Sequence, residues 1–332
     1  MQYNQWMKEV NGDNLVSKLS IPGTHNSAAC HNALPSVQCQ DKNISDQLNN
    51  GVRFLDVRLS RNLSSDITTT ITNALPTSLF GNIKIPQNNK QNKNDDLVVI
   101  HGKFPVKLGG NVRFDEVLNQ TYKFLDSNPS ETVILSLKQE GQGEWNNDND
   151  EFPKVIYNRY INKNNGSFKK YWYLNNSIPK LNDCRGKIIL LRRFGLRNNE
   201  FKQKIGGDNN LGINASFWSY NTIDDNRDKV RVQDFCEIKE VKSIGTKINY
   251  IKDHCKRSAE YQRSDSNPPK LFLNFCSASN FFNQDLWPNK INDILVKNNL
   301  SESFSKGNGV VILDYVGKNN WKYVKELVNK NF

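Results

Sequence analysis

The sequence predicts an α/β fold: an irregular (β/α)8 barrel of the TIM type, in a single domain over 1–332. Three observations carry this. Eight short runs of β-branched and aromatic residues recur along the chain. Helix-like or loop segments separate them. Polar residues stand at the C-terminal ends of run after run, where such barrels place their chemistry.

The eight runs are 15–21, 52–59, 97–101, 132–138, 187–192, 230–233, 271–275 and 310–314. Their shortness and apolar continuity suit parallel strands buried on both faces. Between the third and fourth, Phe114, Val117, Leu118, Thr121, Phe124 and Leu125 recur at helical spacing. Asp115 and Glu116 favour the helix start, and Asn128-Pro129 stops it. With a strand on either side, this predicts a βαβ unit. Trp321, Val324, Leu327 and Val328 predict a closing helix. The Asn-rich stretch at about 62–96 reads as an enlarged loop inserted into the barrel.

A chain of 332 residues is long enough for one large α/β domain. Its mean hydropathy is low, at −0.69, because Asn/Lys stretches add solvated loops. The formal net charge is +11 and the pI ≈ 9.2. The lysines are dispersed and no nucleic-acid motif is present, so an anionic membrane face is the more specific partner. Six cysteines without C-x-x-C spacing argue against a zinc site and for mostly free thiols. A Cys30–Cys39 disulfide stays open. The first residues lack signal-peptide character, and no stretch approaches the ~20 apolar residues of a membrane span. The expectation is a cytoplasmic monomer, peripheral at the membrane, with secretion as the alternative.

The run-end residues suggest chemistry on a phosphate ester. His25 follows Pro22-Gly23-Thr24, read as a tight turn that glycine permits, on a loop after a strand. His101 ends Leu97-Val98-Val99-Ile100. His25 reads as a general base from that loop position, whereas His101 taken alone reads as a satisfied rim histidine. Together they suit a displacement at phosphorus, one as general base and the other as general acid. His31 and His254 lie in polar segments and read as surface residues. Asp56 and Arg58 alternate, so both face the barrel interior. Arg58 is then either a structural partner of Asp56 or a fork for phosphate that stabilises its developing charge. Asp314 ends an apolar strand and needs a partner: a backbone amide, an arginine, or the Nδ1–H of His25. Lys138, Glu140 and Arg193 suit either rim salt bridges or hydrogen bonds to a polyhydroxylated ligand.

Five segments taken in order resemble a known family. They are Ser20-Ile21-Pro22-Gly23-Thr24-His25, Gly51-Val52-Arg53-Phe54-Leu55-Asp56-Val57-Arg58, the stretch from Asn128-Pro129 to Leu137-Lys138, Arg185-Gly186-Lys187-Ile188-Ile189-Leu190-Leu191 and Val311-Ile312-Leu313-Asp314-Tyr315. The family is the bacterial-type phosphatidylinositol-specific phospholipase C, with its X domain. The resemblance implies a distorted TIM barrel that cleaves phosphatidylinositol to diacylglycerol and inositol phosphate. The inositol 2-hydroxyl would attack phosphorus, giving a cyclic phosphate.

It further implies His25 as base, Asp314 as its orienter, His101 as acid, and Arg58 on phosphate with Asp56 holding it. Lys138, Arg193 and Asp234 would meet inositol hydroxyls. Phe235 is the candidate for an aromatic stacked on the inositol ring, with Cys236 competing for that position. Calcium-dependent relatives carry an acidic residue where Arg58 stands, so no metal or other cofactor is expected. Calcium stays a less favoured alternative, because Asn26 resembles a metal-binding asparagine of those relatives. Metal-independent relatives have aspartate there, supporting the acid, so turnover is expected to be lower with Asn26. A calcium-dependent or glycerophosphodiester-type phosphodiesterase and a non-catalytic lipid-binding barrel remain competing readings. The stretch from Phe281 to Trp287 is read either as an interfacial loop or as packing on the outer helices.

Overall fold

A computed structural model describes residues 1–61, 96–141 and 145–332. The expected insertion at about 62–96 therefore lies, Asp96 apart, outside the described residues. The strands are β1 (Ser20–Thr24), β2 (Phe54–Arg61), β3 (Leu97–His101), β4 (Phe104–Pro105), β5 (Val133–Gln139), β6 (Trp172–Tyr173), β7 (Ile188–Arg193), β8 (Ile213–Asn214), β9 (Asp225–Asn226), β10 (Val230–Gln233), β11 (Leu271–Phe275) and β12 (Gly309–Leu313). The principal helices are α1 (Ile44–Asn49), α2 (Phe114–Ser127), α3 (Ser243–Gln262), α4 (Pro288–Lys297) and α5 (Lys318–Asn329).

The sheet runs β6-β7-β5-β2-β1-β12-β11-β10-β9, with β8 beside β7. From β7 to β10 every neighbouring pair is parallel. One apolar cluster takes Ile21, Phe54, Ile134, Ile189, Ile213, Val230, Leu273 and Ile312 from strands across the whole sheet. The sheet thus curls around a common interior. Leu55, Val57, Leu135, Leu190 and Leu313 belong to a second cluster shared with the helices. Alternation along each strand sorts residues between these two layers.

Three expectations are corrected. The first strand begins at Ser20, because Val16–Lys18 forms a 3₁₀ turn. Pro22-Gly23-Thr24 is consequently strand and not a turn. Gly23 is needed for space: a Cβ there would lie 3.0 Å from both Phe54 and Val310 side chains. Second, 97–101 is a strand, but it pairs antiparallel with β2 and β4. The parallel partner of β5 is β2, so the crossover through α2 joins β2 to β5. The two-residue strands β4, β6, β8 and β9 are too short to leave a periodic signal. Third, His254 is fully buried. It shares the inward face of α3 with Ile244, Ile248, Ile251 and Cys255, and its ring lies 5.4 Å from that of Phe272.

The closing helix falls where Trp321, Val324, Leu327 and Val328 predict it, with left-handed Asn319, Asn320 and Trp321 at its entry. All six cysteines are free thiols. No helix among the described residues is long and apolar enough to cross a membrane.

A buried ion pair anchors the end of the barrel opposite the polar strand tips. Arg53 donates from Nε and Nη2 to Glu131 Oε2 at 2.9 and 2.7 Å. It also donates to the carbonyls of Leu48, Val52, Tyr3 and Asn4. Neither side chain is exposed. Removing one member strands a buried charge, so Glu131→Ala should cost about 3–5 kcal/mol of stability. Chemical denaturation would show this as a lower midpoint; a change under about 1 kcal/mol would count against the anchor.

Candidate active site

The site follows from alternation. Ile21-Gly23-His25, Phe54-Asp56-Arg58, Ile134-Ser136-Lys138, Ile189-Leu191-Arg193, Val230-Val232-Asp234 and Val310-Ile312-Asp314 each share one parity. The apolar members fill the interior, and the last residue of each column reaches the C-terminal rim. His25, Arg58, Lys138, Arg193 and Asp234 line one cavity of about 440 Å³, together with His101. His101 arrives by a different route. β2 continues beyond the rim through Leu59, Ser60 and Arg61, and β3 pairs with that extension on its way back.

His25 is fixed from several sides. Its backbone N–H donates to the Leu313 carbonyl at 3.0 Å. Gln40 Nε2 donates to the carbonyls of both His25 and Leu313, at 2.8 and 2.9 Å. The ring Nδ1 lies 2.9 Å from Asp314 Oδ1. A carboxylate only accepts, so Nδ1 donates and Nε2 keeps the lone pair of a base. Asn26 takes the left-handed conformation (φ 41°) and brings its Nδ2 to 3.0 Å from His25 Nε2. The amide therefore serves His25, where the resemblance implied support for the acid.

His101 Nδ1 lies 3.0 Å from the Val37 carbonyl and 3.7 Å from Cys39 Sγ. Its ring stands perpendicular to that of His25, with centroids 5.7 Å apart. Burial, then the Arg58 cation and His25, push His101 down to about 3. The free site thus holds it as a neutral imidazole.

Asp56 is fully buried and serves two guanidiniums. Arg58 Nε and Nη2 each lie 3.4 Å from its Oδ2, and Arg193 Nη1 lies 3.0 Å from its Oδ1. Burial opposes this charge, but Arg58 and Arg193 hold the carboxyl well below the usual carboxylate range. Burial likewise opposes the Arg58 charge, yet Asp56, Glu140 and Asp234 keep the guanidinium more firmly protonated than usual. Glu140 Oε1 accepts from Lys138 Nζ at 2.8 Å and lies 3.9 Å from Arg58 Nη1. Burial, then Arg58 and Arg193, lower the Lys138 ammonium.

Asp234 faces the cavity and accepts from Trp218 Nε1 at 3.2 Å. Phe235 turns away, with its ring 5.3 Å from that of Tyr250, whereas Cys236 lines the cavity. Trp218 and Tyr220, from the segment after β8, form much of the opposite wall. The Arg193 guanidinium lies 3.9 Å from the Trp218 ring centroid. Gln40, Trp218 and Tyr220 escaped the sequence reading, and Cys39 entered it only as a disulfide candidate. The aromatic density of Phe217-Trp218-Ser219-Tyr220 was the one visible hint among them.

Chemically, the cavity offers an oriented base, a second imidazole facing it, a fixed cation for an anionic oxygen, and mixed-charge groups for hydroxyls. Known proteins resemble this chain in sequence and in fold. The family described as phosphatidylinositol-specific phospholipase C, X domain, matches residues 13–194. The 1-phosphatidylinositol phosphodiesterase of Listeria monocytogenes is 27% identical, over 98% of this chain and 84% of its own. That of Staphylococcus aureus (strain Newman) is 24% identical, over 94% of this chain and 88% of its own. Among solved structures, a phosphatidylinositol-specific phospholipase C from Staphylococcus aureus superposes with TM-score 0.69 at 20% identity, covering 100% of this chain and 98% of that one. The Listeria monocytogenes enzyme superposes with TM-score 0.66 at 23% identity, covering 100% of both. These superpositions bear out the irregular TIM barrel. With the family match spanning more than half its length, this chain belongs to the X-domain family of phosphatidylinositol-specific phospholipases C.

Proposed function

We propose that the cavity cleaves phosphatidylinositol, releasing diacylglycerol and an inositol phosphate, and that the chain is a phosphoric diester hydrolase of the phospholipase C type. The carrying observation is the pair of perpendicular imidazoles 5.7 Å apart, one braced by a buried carboxylate, beside a guanidinium held by another. The inositol 2-hydroxyl replaces the Asn26 amide at His25 Nε2 and gives up its proton there. Its oxygen bonds to phosphorus, and the bond from phosphorus to the diacylglycerol oxygen breaks. His101, its Nδ1–H on the Val37 carbonyl, takes up a proton from solvent at Nε2 as the anionic diester binds and passes that proton to the leaving oxygen. The bound diester offsets Arg58, whose cation otherwise discourages a charge on His101. Lys138, Arg193 and Asp234 face the cavity as partners for the inositol hydroxyls. The proposed working unit is a monomer.

Arg58 supplies the positive charge at the position a divalent ion would serve, so the reaction is proposed to need no metal. Release of inositol phosphate from labelled phosphatidylinositol should survive EDTA. Loss of activity in chelator, restored by calcium, would move the chain to the calcium-dependent reading. Absence of any release, in wild type and histidine variants alike, would favour the non-catalytic barrel.

Membrane binding is the subject of one matched Staphylococcus aureus structure. Here Phe282 is 90% exposed, on a loop between the cavity-lining Ser279 and Pro288. Phe281 stacks on Phe104 with centroids 4.9 Å apart and also borders the apolar cluster shared with the helices. Phe217 and Tyr220, 63% and 75% exposed, flank the same opening. Aromatic rings in this position settle at a lipid interface, where burying one is worth about 1.5–3 kcal/mol. The paired change Phe281→Ser with Phe282→Ser should weaken vesicle binding by roughly tenfold or more. Unaltered binding by the folded double variant would reject insertion.

A further inference from the structure

Cys39 has no part in the reaction above, yet it lies at its centre. The side chain is fully buried, with Sγ 3.7 Å from His101 Nδ1 and 3.9 Å from Asn26 Nδ2. One nitrogen of His25, one of His101 and this sulfur all lie within 4.8 Å of one another. Two imidazoles and a thiolate form the donor set of zinc and similar borderline cations; calcium and magnesium prefer oxygen. Donors on a tetrahedral zinc ion sit roughly 3.3–3.8 Å apart, given bonds of about 2.0–2.3 Å. Closing the set therefore takes side-chain shifts of about 1 Å.

A second observation points the same way. Asn26 Oδ1 is buried without a hydrogen-bond partner, on the very amide that touches both His25 and Cys39. Half a turn of that amide presents an oxygen to the centre of the cluster, where a cation would satisfy it.

We infer that the catalytic centre doubles as a reversible inhibitory site for a thiophilic divalent cation, zinc fitting best, held by His25, Cys39 and His101 with Asn26 Oδ1 in the fourth position. As the sulfur–metal bond forms, the thiol proton leaves to solvent; nothing is oxidised or reduced. Each imidazole binds as a neutral donor, so His25 loses the lone pair of a base and His101 cannot carry the proton of an acid. That consequence rests on the roles proposed for the two histidines; the binding does not.

The test uses the full chain, stripped of metal with EDTA and exchanged into chelator-free buffer. Cobalt(II) titrated under reducing conditions should give a thiolate-to-metal charge-transfer band saturating at about one equivalent. Zinc should shift the ring resonances of His25 and His101. It should also lower phosphatidylinositol cleavage about tenfold or more, reversibly with EDTA, while calcium and magnesium should not. Cys39→Ser and Cys39→Ala, each compared with its own metal-free rate, should lose the band and most of the inhibition. A band that persists without Cys39, or wild-type protein with no band and no zinc-dependent ring shifts, overturns the site. A Cys39-dependent band with undiminished turnover keeps the site and overturns the roles of His25 and His101.

Discussion

His25→Ala is expected to lower phosphatidylinositol cleavage by about 10²–10⁴-fold, the usual worth of a positioned general base. Asp314 already holds Nδ1 and Gln40 already holds the backbone, so the imidazole is oriented before substrate arrives. His101→Ala should cost a similar factor, and the nature of the leaving group separates the two roles. A substrate whose leaving oxygen needs no proton, such as a nitrophenolate, should recover most of the loss in His101→Ala and little of it in His25→Ala. Rates of inositol phosphate and nitrophenolate release from folded variants provide the comparison. Equal recovery in both variants would mean that acid and base are assigned wrongly. A His25→Ala enzyme within tenfold of wild type would remove the base altogether.

Arg58→Lys should cost about 10²–10³-fold, because an ammonium keeps the charge but loses the fork that aims two N–H groups from one plane. The Asp56 carboxylate fixes that plane and steadies Arg193 from its other oxygen, so both cations stand ready before substrate arrives. A second measurement separates this role from simple packing. Burial, then Arg58, depress His101 to about 3. Arg58→Ala removes the nearby cation that opposes the imidazolium, so the His101 midpoint should rise. Nuclear magnetic resonance titration of the ring would follow it. An unmoved midpoint would show that Arg58 does not act electrostatically at this site.

Much of the site was legible because the barrel imposes alternation. Once Phe54 is taken as interior, Asp56 and Arg58 must be interior too, and the same parity leads to Lys138, Arg193, Asp234 and Asp314. The strand runs were legible for the same reason, since burial on both faces demands continuous apolar stretches. What failed was whatever depends on contacts distant in sequence. Nothing local distinguishes a parallel from an antiparallel 97–101; the choice is made by the part of β2 that overshoots the rim. Pro22-Gly23-Thr24 looks like a turn by composition, but the neighbouring Phe54 and Val310 side chains require the glycine. His254 sits among polar neighbours and is buried through the face of α3 that it shares with Ile251 and Cys255. Trp218 and Tyr220 reach the cavity from a segment outside regular strands, where no periodicity marks direction.

His25 belongs to the frame of the barrel, whereas His101 rides on the β3–β4 pair beside it. In that pair His101 stands opposite Phe104, and Phe104 carries the ring of Phe281. The exposed loop therefore leans on the same small hairpin that bears the proton donor. Pressure from a lipid surface on that loop would reach the proposed donor through two neighbouring residues, so docking and chemistry would share one short lever.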